Sequence, residues 1–129
     1  MAISIVRLGS PRAAGEGPRL GTVRRPPRGV RKSDYAAQNY YDAWLPGLSP
    51  SAALISKTGI LHDRSRWRAF SRRFESELKQ PDASHLLDAL AALSHTSNFA
   101  IGCYCEDEQV CHRSILRKVL AARGAAIKS

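Results

Sequence analysis

Short apolar runs along this chain alternate with longer stretches in which apolar residues return every three or four positions. Residues 2–8 carry Ile3, Ile5, Val6 and Leu8 and predict a first strand, placed centrally in its sheet. Residues 20–24 predict a second short strand. Residues 33–44 hold Tyr35, Tyr40, Tyr41 and Trp44 without a clear period; they predict irregular structure with a helical turn or short strand, and Trp44 and Leu45 packed inward. Ser49-Pro50 predicts a helix start, serine as N-cap and proline at the first position, for a helix running to about Lys57 and stopping near Gly59. Trp67, Phe70, Phe74 and Leu78 fall at helical spacing and predict a helix over 64–80, with Asp63 as its cap and Pro81 ending it. Asp82 is expected to cap the next helix, which carries Leu86, Leu87, Leu90 and Leu93 inside. The run from 99 to 105 is short, apolar and rich in β-formers, so it predicts the last strand. Glu106-Asp107-Glu108 must be a surface loop. Ile115, Leu116, Val119 and Leu120 predict a final helix with one buried face, and Cys111, His112 and Arg113 fall at its mouth.

Strands separated by helices predict an α/β fold: a small single domain, residues 1–129, with a mainly parallel sheet flanked by helices. Such folds bind ligands beyond the carboxyl ends of their strands, where Cys103 and Cys105 fall. Residues 9–32 form a long basic region rich in Gly and Pro, and Pro26 and Pro27 preclude regular strand pairing within it. With 129 residues, 43% of them hydrophobic, one real core is expected. No apolar run reaches the length of a membrane span, of about 18 residues, and no signal-like segment follows Met1. A cytoplasmic protein with no membrane association is therefore expected, its three cysteines held as reduced thiols. Oligomeric state is left open, and no cofactor is assigned.

Charge sharpens this picture. Residues 1–32 hold eight Lys or Arg and one acid, Glu16, so they account for +7 of the formal net charge of +9. The remaining 12 basic and 10 acidic residues nearly balance. A basic segment of this kind is either a solvated surface or a footprint for nucleic acid, an anionic metabolite or an acidic partner.

Several pieces line up with one family: the N-terminal strand; Arg25-Pro26-Pro27-Arg28-Gly29-Val30; His62-Asp63 followed by Trp67, Phe70, Phe74, Glu77 and Leu78; and Cys105-Glu106 with Cys111-His112-Arg113-Ser114 and Leu116. The chain resembles the domain of unknown function 488 family, including its YeaO-like group, from about Ile3 to Leu120. The resemblance implies a small α/β domain and no agreed biochemical role. Where family members often carry a Leu-Trp pair before the Pro-Arg-Gly turn, this chain has Arg25-Pro26.

The candidate chemistry gathers around the last strand and helix. Arg113 offers a planar fork of donors suited to phosphate or carboxylate, at a helix mouth where N–H groups are unpaired. Arg7 and Arg28, with Arg24, could reach the same region, and Cys111 and His112 complete an expected anion site. The structural alternative pairs Arg113 with Glu106 or another acid. A thiol near a helix N-terminus and an arginine has a lowered pKa, which makes Cys105 a candidate nucleophile; inert buried thiols are the commoner outcome. The distance of eight positions from Cys105 to Arg113, and two from Cys111, does not match the Cys–Arg loops of tyrosine phosphatases or rhodaneses. A metal set of Cys103, Cys105, Cys111 and His112 is weighed and not assigned, because Cys-x-Cys is tighter than the usual zinc spacing. His62, oriented by Asp63, is the candidate acid–base group, against a packed loop residue and a simple helix cap. The sequence thus leads to binding of a phosphate-bearing or other anionic small molecule, such as a nucleotide, at the strand ends. The alternative is a nucleic-acid-binding module that uses the basic first third, with tyrosines 35, 40 and 41 stacking on bases.

Overall fold

The computed structural model describes residues 1–58 and 64–128. In chain order its elements are β1 (Ile3–Arg7), β2 (Arg19–Gly21), β3 (Ala43–Trp44), α1 (Ala52–Thr58), α2 (Arg64–Leu78), α3 (Pro81–Leu93), β4 (Phe99–Cys103) and α4 (His112–Ala122). The four strands form one sheet in the order β1-β4-β2-β3, with every pair parallel. The expected α/β architecture is therefore what the chain adopts, but the centre of the sheet is not where β1 was expected. All five residues of β4 are buried, while β1 runs from buried Ile3 to exposed Arg7. An apolar run buried on both faces belongs between two strands; β1, with polar Ser4 and Arg7, takes an outer position. Its outer edge is covered by the C-terminal segment: Ile3 N–H donates to Ala126 O at 2.9 Å and Lys128 N–H to Ile3 O at 2.8 Å.

The two faces of the sheet are covered differently. Ile3, Phe99 and Ile101 join one core with residues of all four helices, among them Leu54, Phe74, Leu87 and Leu116. Alternate positions are small: a Cβ on Gly21 would stand 2.4 Å from the Tyr41 ring, and one on Gly102 would stand 2.6 Å from Leu8. Those glycines let irregular segments lie directly on the sheet. A second cluster, Leu8, Val23, Tyr41, Cys103 and Cys111, collects at the carboxyl ends of β1, β2 and β4.

Most boundary expectations hold to within a few residues, and the exceptions have local causes. β2 ends at Gly21 rather than continuing to Arg24: Thr22 N–H still donates to Gly102 O at 3.0 Å, and the Arg24 side chain beyond it donates to the carbonyls of Ser49 (3.2 Å) and Pro50 (3.1 Å). α1 starts two residues after Pro50: Ser51, not Ser49, accepts the Leu54 N–H (3.1 Å), and Ser51 is itself held by the Glu77 carboxylate. Pro81 opens α3 instead of merely ending α2; Gln80 is the extended cap residue and Asp82 sits in the first turn. Leu93 is half exposed rather than inside, and Trp44 is 43% exposed, its indole N–H donating to Val23 O at 2.7 Å. Asp63, the expected cap of α2, lies outside the described residues.

The Gly/Pro-rich segment between β1 and β2 is ordered by one side chain. Arg19 is fully buried. Its guanidinium pairs with Glu16 (2.7 Å) and donates to the carbonyls of Ser10 (2.8 Å), Pro11 (3.1 Å) and Asn39 (2.7 Å). Burial would raise the Glu16 pKa, but the hydrogen bonds from Arg19 and the Ala13 amide and the charges of Arg19 and Arg12 outweigh it, and the net shift is downward. Arg19→Ala takes the ion-pair partner from a buried carboxylate and the guanidinium donors from three carbonyls, a loss of roughly 3–5 kcal/mol; thermal unfolding of that variant should begin roughly 10 °C or more below wild type. Because the folded pKa of Glu16 is depressed, its contribution is complete above the unfolded pKa and disappears as pH falls through the folded one. Acid titration of the melting temperature should therefore fall less steeply in Glu16→Gln than in wild type, and equal slopes would rule out this pair as an acid-labile contact.

Candidate functional site

The loop that leaves β4 is short and tightly tied, and this brings the first residue before α4 back to the last residue of the strand. Asp107 accepts the Gln109 N–H (2.9 Å) to start a single 3-10 turn over Glu108–Val110, and Arg117 from α4 grips Glu108 at 2.6 and 3.0 Å. Cys111 is the N-cap residue of α4 and gives it no side-chain cap, so the N–H groups of the first turn have no side-chain acceptor there. The Cys111 Sγ lies 2.9 Å from the Cys103 Sγ, and both residues are buried. Cys105, two residues beyond β4, is exposed, and its N–H donates to the Cys103 Sγ at 3.3 Å.

His112 completes the cluster. Its Nε2–H donates to the Thr22 carbonyl at 2.5 Å, and its Nδ1 lies 3.8 Å from the Cys111 Sγ. A carbonyl only accepts, so this bond fixes the proton on Nε2 and turns the Nδ1 lone pair toward the thiols. The ring of Phe74 stands edge-on to the imidazole, with centroids 5.7 Å apart.

Above the thiols opens a cavity of about 460 Å³, within the range of ligand pockets, whose apolar wall includes Val23, Pro50, Ile55 and Phe70. Arg24, Arg25 and Tyr104 also line it, and Cys103, Cys105, Cys111 and His112 lie on its inner side. The Tyr104 hydroxyl donates to Arg25 O at 2.9 Å, which holds the basic edge in place. A second groove, lined by Arg25, Pro26, Pro27, Arg28, Tyr40 and Tyr104, shares Arg25 and Tyr104 with the first.

Arg113 stands apart from the cavity lining. It is only 3% exposed, its Nη2 donates to Cys105 O at 2.6 Å, and its Nε has no partner. Among the described residues no carboxylate forms an ion pair with it. Its charge acts instead on the thiols. Hydrogen bonds from Cys103 and Cys111, joined by the Arg113 charge, overcome the cost of burial and bring the Cys105 pKa down to about 3. The bond with Cys103 likewise lowers Cys111, while Cys103, as the donor to both, is raised.

The structure therefore brings Cys105, Cys111, His112 and Arg113 together, with Arg113 beneath the site as a buried charge. Arg7 lies beside Cys103 in the register of β1 and β4 and makes an exposed ion pair with Glu106 at 3.5 Å. Arg28 lines the second groove, away from the thiols. His62 lies outside the described residues. Sequence reasoning weighed Cys103 only within a metal set that it did not assign, and gave Thr22 and Arg25 no place in the site. Cys103 had a signal in its Cys-x-Cys spacing, whereas the Thr22 carbonyl has none, since any residue supplies one.

A thiol held as thiolate stays reactive where ordinary cysteine does not. In reduced protein, iodoacetamide should label Cys105 first, as mapped by peptide mass, and the rate should stay nearly flat between pH 8 and pH 6. An ordinary thiol, with a pKa of about 8.5, slows about tenfold per pH unit over that range. Arg113→Met should restore part of that pH dependence. A wild-type rate that tracks free cysteine would show that Cys105 is an ordinary thiol.

The comparisons with known proteins bear on the whole of this arrangement. The model of the family DUF488-N3a, described as the active DUF488-N3 subclade, matches residues 3–124. That span runs from the first residue of β1 past the end of α4 and includes every thiol and the paired histidine. Neither the comparison with curated proteins nor that with solved structures finds a match. With the strands, the cavity and the Cys-His-Arg helix mouth all inside the matched span, the chain belongs to the domain of unknown function 488 family.

Proposed function

We propose that the cavity binds a phosphate-bearing or otherwise anionic small molecule, of about the size of a mononucleotide, and that Cys105 is the reactive group it meets. The observation that carries this reading is the pairing of an apolar cavity with a basic edge at the carboxyl ends of β2 and β4, where parallel sheets commonly hold ligands. The apolar wall suits a flat ring or other apolar body. Arg25 suits the anionic group: among the described residues its side chain has no hydrogen bond or ion pair. Arg24 contributes charge from a fixed position, because its guanidinium is engaged with two carbonyls. Arg113 supports the site from below by favouring the thiolate, and does not itself grip the ligand. The matched subclade is described as active, and Cys105 is the exposed nucleophile that an activity of this chain would use. A reducing cytoplasm would keep that thiol free.

A second reading has one observation in its favour. The groove with Arg25, Arg28, Tyr40 and Tyr104 could follow the backbone of a single-stranded nucleic acid. It is weakened by the packing of the tyrosines expected to stack on bases. Tyr41 is buried in the second cluster, and Tyr35 is packed edge-on against it at 5.2 Å.

A thermal-shift series with phosphate, mononucleotides and short oligonucleotides separates the two. A ligand that binds only the folded state raises the melting temperature. A mononucleotide should give a saturable rise that survives Cys105→Ser and is lost in Arg25→Gln. A rise with oligonucleotides alone, collapsing as salt is raised, would transfer the function to the groove; silence across the series would remove both readings.

A further inference from the structure

We infer that Cys103, Cys111 and His112 form a binding site for a soft divalent metal, zinc in the first instance, with its fourth position open toward the cavity beside Cys105. Three observations carry the assignment. The two thiol sulfurs and an imidazole nitrogen lie within 4.8 Å of one another, on residues that are buried or half-buried. Sequence spacing argued against such a set because Cys-x-Cys is tight; the fold resolves the difficulty by taking one thiol from the end of β4 and the other from the N-cap of α4. Next, the imidazole is already arranged as a ligand. Metal-bound histidines characteristically donate their second N–H to a carbonyl or carboxylate, and here Nε2–H is committed to the Thr22 carbonyl while Nδ1 faces the Cys111 Sγ. Lastly, an N–H donor and a buried positive charge lie beside the sulfurs. The Cys105 N–H donates to the Cys103 Sγ, and the buried Arg113 has an unpartnered Nε and no ion-pair partner among the described residues. A cation in that position calls for anionic neighbours, and metal-bound thiolates supply them.

The chemistry balances simply. Each thiol gives up its proton to solvent as its sulfur takes the metal, and the neutral imidazole contributes a lone pair. Zinc–sulfur bonds of about 2.3 Å set tetrahedral sulfurs roughly 3.7 Å apart. The present 2.9 Å contact has only to open by a side-chain rotation at each end. A disulfide between Cys103 and Cys111 would use the same two sulfurs, but it would leave the oriented histidine and the buried arginine without a purpose. Three protein ligands and a fourth position facing a cavity are the pattern of a zinc site that takes up a water or substrate group. The site stands on the thiols and the histidine whether or not the cavity accepts a nucleotide, so the two proposals fail separately.

The test uses reduced, chelator-washed full chain and cobalt(II) as the probe. Wild type should give the strong visible absorption of tetrahedral cobalt together with a thiolate charge-transfer band, saturating at one metal per chain. Zinc should abolish both at one equivalent, with release of protons. His112→Gln should weaken zinc at least about tenfold, and Cys105→Ser should keep the one-to-one stoichiometry. A folded, reduced wild type with no tetrahedral cobalt spectrum would overturn the site, and this outcome does not depend on any variant folding. So would oxidation of Cys103 and Cys111 to a disulfide by dissolved oxygen at the same rate with and without zinc, since bound metal would protect both sulfurs. A spectrum unchanged in both His112→Gln and Cys111→Ser would place the metal elsewhere and overturn it equally.

Discussion

A buried arginine with a single carboxylate partner organises the half of the molecule that lacks regular structure. Arg19 opens β2, and from there its guanidinium reaches Glu16, the carbonyls of Ser10 and Pro11, and the carbonyl of Asn39. These groups come from two segments that would otherwise have little reason to stay in place: the Gly/Pro-rich stretch before β2 and the irregular stretch before β3. Asp42 reinforces the junction by accepting from the Arg19 backbone N–H at 2.7 Å and from Arg12 at 2.9 Å. A carboxylate and three carbonyls are the partners a desolvated guanidinium requires, and removal of the cation would leave the buried Glu16 carboxylate without its counter-charge. The position of β2 fixes where Val23, Arg24 and Arg25 emerge, so the wall of the cavity depends on an ion pair made by the first residue of β2.

The location of the thiols follows from topology. β4 is the central strand and is hydrogen-bonded on both sides, so the chain leaving it has to emerge at the middle of the sheet's carboxyl edge. The return is limited to seven residues between Cys103 and Cys111, and the Arg117–Glu108 clamp draws the loop against α4. The N-cap of the helix is thereby set against the end of the strand. Gly21 and Gly102 have a matching role on the opposite face, where no side chain fits: they let Tyr41 and Leu8 approach closely enough to close the second cluster around the same strand ends. The site is thus the place where a central parallel strand, a tight connection and a helix N-terminus coincide.

What the sequence made legible was whatever repeats or punctuates. The apolar period gave α2, α3 and α4, and the β-forming run gave β4, because these features report burial on a known face. The order of the strands was not legible. A five-residue apolar run looks the same at the edge and at the centre, and only the comparison of Ser4 and Arg7 in β1 with the uninterrupted Phe99–Cys103 favours β4 for the middle. The site was legible as a neighbourhood, through Cys105, Cys111, His112 and Arg113, but their relations were not. Whether Arg113 faces a ligand or lies beneath the thiols is set by three-dimensional packing, and the acceptor that fixes His112 is the backbone carbonyl of Thr22, 90 residues away, which no side-chain pattern announces. The Glu16–Arg19 pair did have a local signal, opposite charges at i and i+3 in a segment with few other means of ordering itself.

The basic N-terminal third shows why net charge is a weak guide to partners. Eight cationic side chains in residues 1–32 suggest an extended electrostatic footprint, yet the fold engages most of them internally. Arg7 pairs with Glu106, Arg12 with Asp42, Arg19 with Glu16 and Arg31 with Asp34, while Arg24 is held by the carbonyls of Ser49 and Pro50. A cation already paired releases fewer counterions on meeting a phosphate backbone, so its share of salt-dependent affinity is reduced. Among the described residues the charge that remains uncommitted is at Arg25, Arg28 and Lys32, and the two arginines lie where the cavity meets the neighbouring groove. Concentrating the available charge there favours a compact anion held at one end of an apolar body over a long polyanion laid across a surface.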